Sequence, residues 1–147
     1  MTDLVKVFFA VDQDEDGFPP VASESVWAST TPTQGEYIVD NIPFLARQAT
    51  LGDTVLVRIS EGALWFDRLV KRSGNSLIRV VFFDKNELEA TRAALASMGC
   101  NAEFSHDLNL LAVNIPSSTP LRELQAYLQR ATDQGTLDYE EPTLRQD

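Results

Sequence analysis

The sequence has little of the chemistry that most catalytic and metal sites need. Its 147 residues contain one cysteine, Cys100, and one histidine, His106. A single cysteine excludes an internal disulfide and fits a reducing compartment. Together with one histidine, it cannot supply the four ligands of a structural zinc site. The seven glycines occur singly, which excludes a glycine-rich phosphate-binding loop. We therefore predict no metal and no cofactor.

Positive charge is also scarce. Twelve Lys and Arg stand against 22 Asp and Glu, which gives a net charge of −10. Phosphate backbones repel such a surface, so nucleic-acid binding is disfavoured. Long apolar runs are missing as well, because the first one ends at Val11 and no basic leader precedes it. We expect a cytoplasmic protein without a membrane-bound segment.

What the first half of the sequence does contain is a series of strand patterns. Val55, Val57 and Ile59 alternate with more polar neighbours, which is the period of a strand with one buried face. Short links between such runs indicate antiparallel neighbours. Strands are predicted at 4–12, 21–31, 36–43, 53–59, 63–72 and 76–83. Residues 1–75 should then form a curved antiparallel sheet or a small barrel.

The second half of the sequence alternates helices with strands. Asp84 followed by Glu87 is typical of a capped helix start, and Gly99 is placed to end that helix. A second helix is predicted to begin with Pro120 at its first position and to end at Gly135. Further short strands are predicted at 101–106, 109–115 and 136–142.

The order of these elements predicts the fold class. From Ser76 the chain runs strand, helix, strand, strand, helix, strand, which is the order of a ferredoxin-like β-α-β-β-α-β unit. We therefore predict an α+β protein with an antiparallel β subdomain over 1–75 and a ferredoxin-like subdomain over 76–147. The run 76–83 could serve both sheets, as the last strand of the first and the first strand of the second.

One acidic run resembles part of a calcium-binding loop. Asp12–Gly17, DQDEDG, matches the opening of an EF-hand loop. The twelfth position of such a loop should be a bidentate Glu, but here it is Ser23, and two prolines interrupt the loop. A solvated hairpin turn explains the run better, because Asp and Gly are ordinary turn residues.

The single histidine and the single cysteine are the remaining catalytic candidates. His106 has an acidic neighbour, Asp107, but adjacent residues on a strand point to opposite faces. Cys100 follows the helix-ending Gly99, where a small apolar residue is expected. Neither residue forms a recognisable catalytic set with other residues of the sequence. We therefore predict that the protein is not an enzyme.

Several short motifs occur in order along the chain: ESVWA at 24–28, YIVDNIPF at 37–44, GDTV at 52–55 and RSGNSLIR at 72–79. With these motifs the sequence resembles the bacterial family catalogued as domain of unknown function 4265, over the greater part of its length. The resemblance implies no activity and no catalytic residues. Small acidic proteins of this kind often accompany secreted bacterial toxins as immunity proteins, which is an analogy of class.

The motif residues also have structural readings. Glu24 and Arg79 each interrupt an apolar strand, and we expect them to pair across the sheet. Together with Trp27 they form a candidate pocket in the curved sheet. Phe44 is expected to plug the core.

An acidic body with few reactive groups is suited to binding a basic partner protein. We therefore predict a non-catalytic protein-binding module, most concretely an immunity protein that neutralises a bacterial toxin. The predicted partner-binding residues are Asp12, Asp14, Glu15, Asp16, Glu123, Asp138, Glu140 and Glu141.

The alternative function is a small-molecule-binding regulatory or sensor domain. Ferredoxin-like domains often bind ligands where a strand meets a helix, and Asp84, Lys85 and Asn86 occupy such a junction. The oligomeric state stays open, because either a homodimer or a partner protein would cover the sheet face that the two helices leave free.

Overall fold

Nine strands and two α-helices lie along residues 3–146, the part of the chain that the computed structural model describes. They divide between two units, one ending at Ser73 and the other beginning at Gly74. The first unit holds β1 (Leu4–Ala10), β2 (Ser23–Thr30), β3 (Glu36–Val39), β4 (Thr54–Ser60) and β5 (Ala63–Lys71). The second holds β6 (Ser76–Phe82), α1 (Leu88–Ser97), β7 (Asn101–Ser105), β8 (Leu110–Ile115), α2 (Leu121–Asp133) and β9 (Leu137–Thr143). The predicted α+β class with an N-terminal sheet is confirmed.

The first unit is a closed five-stranded barrel. Its strands are antiparallel to their neighbours in chain order, and β1 closes the barrel by pairing in parallel with β5. Two register shifts between β4 and β5 mark bulges or irregular pairing, which increase local twist and help a short sheet to curve. Alternate residues such as Val7 and Phe9 on β1 point into the barrel and are fully buried.

The third strand ends earlier than the sequence pattern predicts. We expected a strand up to Pro43, but β3 stops at Val39. The next residues turn to bind Trp27 on β2 instead: the Asp40 N–H donates to the Trp27 carbonyl, and the Asn41 side-chain oxygen accepts the Trp27 N–H. Short polar side chains of this kind compete with the ladder for backbone groups, which explains the early end.

The second unit is a four-stranded sheet in the order β7-β8-β6-β9, and every neighbouring pair is antiparallel. Because β6 has β8 on one side and β9 on the other, it has no free edge for the barrel. The expectation that residues 76–83 serve both sheets is therefore wrong. The residues of β6 are largely buried.

Both helices pack on one face of this sheet. Leu124 and Leu128 of α2 and Leu95 of α1 are fully buried in one cluster with Ile78 and Val80 of β6. This arrangement follows from the helical spacing of the leucines, which gives α2 a single apolar stripe. No helix within residues 3–146 is long and apolar enough to cross a membrane.

The helix ends differ slightly from the capping predictions. The Asp84 carboxylate accepts the Asn86 N–H at the start of a 3₁₀ turn, Lys85–Glu87, that precedes α1. Pro120 is the residue before α2 rather than its first helical residue, because its ψ of 140° is extended. Gly99 has a φ of 94°, a left-handed conformation that suits glycine and ends the first helical segment.

The buried leucines of α2 give a direct test of this packing. We expect Leu124→Ala to lower the free energy of unfolding of the second unit by about 2–5 kcal/mol, because it removes apolar contacts and leaves a cavity. The exposed neighbour provides a matched control, Glu123→Ala, with an expected change within about 0.5 kcal/mol. Far-UV circular dichroism during denaturant unfolding follows this unit, since it contains both α-helices. Equal effects of the two substitutions would contradict the packing described.

Candidate functional site

Glu24, a candidate pocket residue, anchors a loop that follows β3. One of its carboxylate oxygens accepts the N–H of Phe44 at 2.6 Å. The other accepts the N–H of Leu45 at 3.0 Å and that of Ala46 at 2.8 Å. A carboxylate that accepts several backbone N–H groups makes strong, charge-assisted hydrogen bonds. Glu24 therefore acts as a structural acceptor for the chain between β3 and β4.

A second carboxylate holds the other end of the same loop. Asp53 is fully buried, and its two oxygens accept the N–H of Thr50 at 3.0 Å and the N–H of Ser73 at 2.9 Å. Gly52 precedes it with a φ of 85°, a left-handed conformation in which glycine avoids strain. The Gly-Asp motif thus closes the turn before β4 and binds the backbone of Ser73, which follows β5.

The loop itself fills part of the barrel. Ala46 and Ala49 belong to the buried core cluster, and Ile42 is also buried. Phe44 is only half-buried, so the expectation that it plugs the core is wrong. Its neighbours with smaller side chains enter the core because Glu24 holds their backbone close to β2.

The other two candidate pocket residues do not join Glu24. Trp27 is about half exposed on β2, and the Lys6 ammonium lies 5.2 Å from its ring centroid, a cation–π contact. Arg79 lies on β6, in a different sheet, where it is directly opposite Glu140 on β9 and forms an ion pair with it at 3.6 Å. The predicted pairing of Glu24 with Arg79 across one sheet is wrong, because the two residues belong to different sheets.

The predicted partner-binding acids separate into two groups. Asp12, Asp14, Glu15 and Asp16 lie together in the exposed connection between β1 and β2. The Asp14 carboxylate accepts the N–H groups of Asp16 and Phe18, both at 2.9 Å, which is the bonding of a turn. Within residues 3–146, no group of three or more His, Cys, Asp and Glu side chains is arranged to hold a metal ion.

The second group, Glu123, Asp138, Glu140 and Glu141, lies on β9 and α2. The pKa of Tyr139 is raised, first by burial and then by the carboxylates of Glu141, Asp138 and Asp133. Three negative charges act together at this point. We call Asp133, Asp138 and Glu141 the acidic face. The strand that carries two of them, β9, lies at the end of the sheet order.

Side-chain hydrogen bonds tie the two elements of the acidic face together. The Gln125 amide of α2 donates to the Glu141 carboxylate at 2.6 Å. The Tyr139 hydroxyl donates to the Gln129 oxygen at 3.4 Å, and the Gln129 amide donates to Asp133 at 3.0 Å. The orientation of α2 is thereby fixed relative to β9.

Of the predicted acids, Glu123 lies outside the acidic face, whereas Asp133 belongs to it and was not predicted. Glu123 and Gln125 are two residues apart, which places them about 160° apart around the helix axis. Since Gln125 faces β9, Glu123 faces away from it. Asp133 was missed because its contact with Tyr139 joins the end of α2 to the next strand. Its spacing of four and eight residues from Gln129 and Gln125 could have found it.

Glu140 is the remaining predicted acid, and one of its carboxylate oxygens faces the Arg79 guanidinium. Adjacent residues on a strand point to opposite faces, so Asp138 and Glu140 lie on one side of β9 and Tyr139 and Glu141 lie on the other. Asp138 is counted in the acidic face because its carboxylate binds the backbone of Tyr139. The Asp138 oxygen accepts its neighbour's N–H, that of Tyr139, at 2.8 Å.

The two catalytic candidates, Cys100 and His106, differ in burial. Cys100 is buried in the core of the second unit, and burial raises its thiol pKa to about 11. Its thiolate, the reactive form, is therefore disfavoured at neutral pH. His106 is exposed after β7, and its ring packs edge-on against Phe104 with centroids 4.9 Å apart.

Comparisons with known proteins identify relatives without a described activity. A family described as "Domain of unknown function (DUF4265)" matches residues 24–139. A solved structure of a hypothetical protein from Neisseria gonorrhoeae is similar, with a TM-score of 0.78 and 27% sequence identity over 100% of this chain and 98% of that one. Among curated proteins there is no match.

The three hydrogen bonds of Glu24 can be tested by an isosteric change. Glu24→Gln replaces one acceptor oxygen by an NH₂ group that faces an N–H donor. We expect the barrel to lose about 1.5–3 kcal/mol of unfolding free energy, with faster amide exchange at residues 44–46. Tryptophan fluorescence follows this unit, since Trp27 and Trp65 both lie in it. Glu15→Gln, in the exposed β1–β2 connection, should change neither quantity, and an unaltered Glu24→Gln variant would refute the anchoring role.

The acidic face predicts a measurable titration. Replacing two of its charges, by Asp138→Asn with Glu141→Gln, should lower the pKa of Tyr139 toward its ordinary value, because a phenolate next to fewer carboxylates is easier to form. NMR of ¹³C-labelled tyrosine side chains during a pH titration measures this. Asp107→Asn, in the turn after β7, is the control and should leave the Tyr139 pKa unchanged. A double variant that titrates like the wild type would show that the three carboxylates do not act on this tyrosine.

Proposed function

The chain belongs to the family described as domain of unknown function DUF4265, whose description names no activity, and from its acidic surface we propose that it is a non-catalytic module that binds a basic protein. Its most concrete form is an immunity protein that neutralises a bacterial toxin in the cytoplasm. The observation that carries the proposal is the acidic face, where hydrogen bonds from Gln125 and Gln129 of α2 hold the Glu141 and Asp133 carboxylates in place.

The position of the acidic face supports binding to a protein. It lies on an edge strand and on the helix beside it, and side-chain hydrogen bonds hold the two together. Preorganised charges lose little conformational entropy when a partner binds. Tyrosine is also among the residues enriched where proteins bind each other, because its ring gives contact area and its hydroxyl gives a hydrogen bond.

The net charge of −10 extends the effect of this face beyond direct contact. Opposite charges on two proteins accelerate their encounter, and the acceleration falls as salt screens the field. At about 0.1 M salt the screening length is about 10 Å. The proposal therefore requires an association that weakens clearly between low and high salt.

A second line of support comes from the way the fold uses its polar residues. Glu24 and Asp53 bind backbone groups, and Cys100 is buried with a raised pKa. These groups have structural roles, which leaves the exposed carboxylates as the chemistry that the surface presents. We also infer a ferredoxin-like assignment for the second unit, which the antiparallel strand order β7-β8-β6-β9 supports.

Charge reversal on the acidic face tests the proposal. The partner to use is the product of the gene adjacent to this one, tested by co-purification and by calorimetry. We expect a complex at low salt that Asp138→Lys with Glu141→Lys weakens by at least about tenfold, since each 1.4 kcal/mol of lost binding free energy is a factor of ten. Protection of a bacterial host from that product should fall in parallel.

The matched control is Asp14→Lys with Glu15→Lys in the β1–β2 connection, which changes the net charge by the same amount. It should leave most of the affinity intact. Equal weakening by both double variants would show that net charge alone matters and that the acidic face is not the interface. The absence of any complex at low salt would count directly against an immunity function.

A second candidate function, a small-molecule regulatory or sensor domain, is supported by a separate observation. A cavity of about 220 Å³ lies beside Lys85, one of the three residues at the β6–α1 junction. This cavity is lined by residues of the second unit and contains none of the acidic face.

A further inference from the structure

The cavity beside Lys85 is built by two neighbouring connections of the second unit. The segment from β6 into α1 contributes one side, and β7 with the turn into β8 contributes the other. Its volume is about 220 Å³, and the lining residues are Phe82, Lys85, Leu88, Phe104, His106 and Asn109.

Apolar side chains form the inner part of the cavity. Phe82 is buried, and Leu88 and Phe104 are half-buried. The Phe82 and Phe104 rings meet edge to face with centroids 6.4 Å apart, and the His106 ring packs on Phe104 in the same manner. An apolar cavity of about 150 Å³ is enough to hold one benzene ring. The present volume therefore accommodates one ring with a small substituent.

A cation lies at the mouth of the cavity. Lys85 is exposed, and among the six lining residues it is the one that carries a permanent charge. The nearest acid in sequence, Asp84, directs its carboxylate to the Asn86 N–H. An ammonium beside an apolar cavity favours a ligand that is apolar at one end and anionic at the other.

Asn109 adds a polar group to the cavity wall. Its backbone has a φ of 51°, and its side-chain N–H donates to the Phe82 carbonyl at 3.0 Å. Its side-chain oxygen is buried and accepts no hydrogen bond from the residues that the structure describes. Buried acceptors are normally satisfied by a hydrogen-bond donor, so this oxygen makes one point of the otherwise apolar wall polar.

We propose that this cavity binds a small molecule that consists of one aromatic ring and a carboxylate. The ring packs against Phe82, Leu88 and Phe104, and the carboxylate faces the Lys85 ammonium. The inference rests on the second candidate function and is independent of the acidic face.

The test uses benzoate and its neutral counterpart benzyl alcohol as probes of the intact ¹⁵N-labelled protein. Amide chemical shifts are followed during titrations at matched ionic strength. Both probes should shift the amides around Phe104 and Leu88, and benzoate should bind more tightly. Lys85→Met keeps the apolar stem and removes the charge, so it should weaken benzoate by about two- to fivefold and leave benzyl alcohol unchanged.

Two further variants complete the test. Lys71→Met removes an exposed cation on β5 of the barrel and should leave both affinities unchanged. Leu88→Phe fills the cavity and should weaken both probes, with an otherwise conserved amide spectrum as evidence of folding.

The outcomes separate the ligand class from the site. If benzyl alcohol binds at the cavity as tightly as benzoate, the small-molecule site stands and the carboxylate assignment is overturned. If neither probe shifts these amides, or if Leu88→Phe leaves both affinities intact, the cavity is not a binding site and both proposals fail. A charge reversal on the acidic face, Asp138→Lys, should not alter either titration.

Discussion

The first unit depends on the hydrogen bonds that the Glu24 carboxylate accepts from three successive backbone N–H groups. The chain between β3 and β4 has no strand or helix of its own, so its backbone groups need partners from elsewhere. Glu24 supplies them at one end of this segment and Asp53 supplies them at the other. Held in this way, the segment places Ala46 and Ala49 in the barrel core. Glu24 and Asp53 thus explain how a barrel with a short third strand stays filled.

The motif acids of the chain lie apart in sequence from its candidate binding surfaces. The motif acids bind backbone groups of their own unit, whereas the acidic face and the cavity beside Lys85 lie in the second unit. The two surfaces also use different chemistry. One consists of carboxylates on β9 and α2, and the other consists of aromatic rings and one cation. Each can therefore be tested without disturbing the other.

The candidate residues show where sequence patterns fail. Periodicity located the strands and both helices, because burial of one face imposes spacings of two and of about 3.6 residues. It failed for the pair Glu24 and Arg79, since sequence patterns do not say which strands share a sheet. It also missed Asp133, whose partner Tyr139 is on the next strand, and it could not reveal the cavity, whose wall combines two separate connections.

By itself, the sequence determined the α+β class, the order of the elements, the negative charge and the absence of a disulfide, because each depends on local spacing or on composition alone. The tertiary structure decided everything that depends on contact between distant segments. It brought Glu24 to the loop 44–46 and confined β6 to a single sheet. It also brought the charges of three carboxylates within electrostatic reach of Tyr139 and left a cavity between two connections. The physical reason is that hydrogen bonds and charges act through space over a few ångströms, whatever the separation of their residues along the chain.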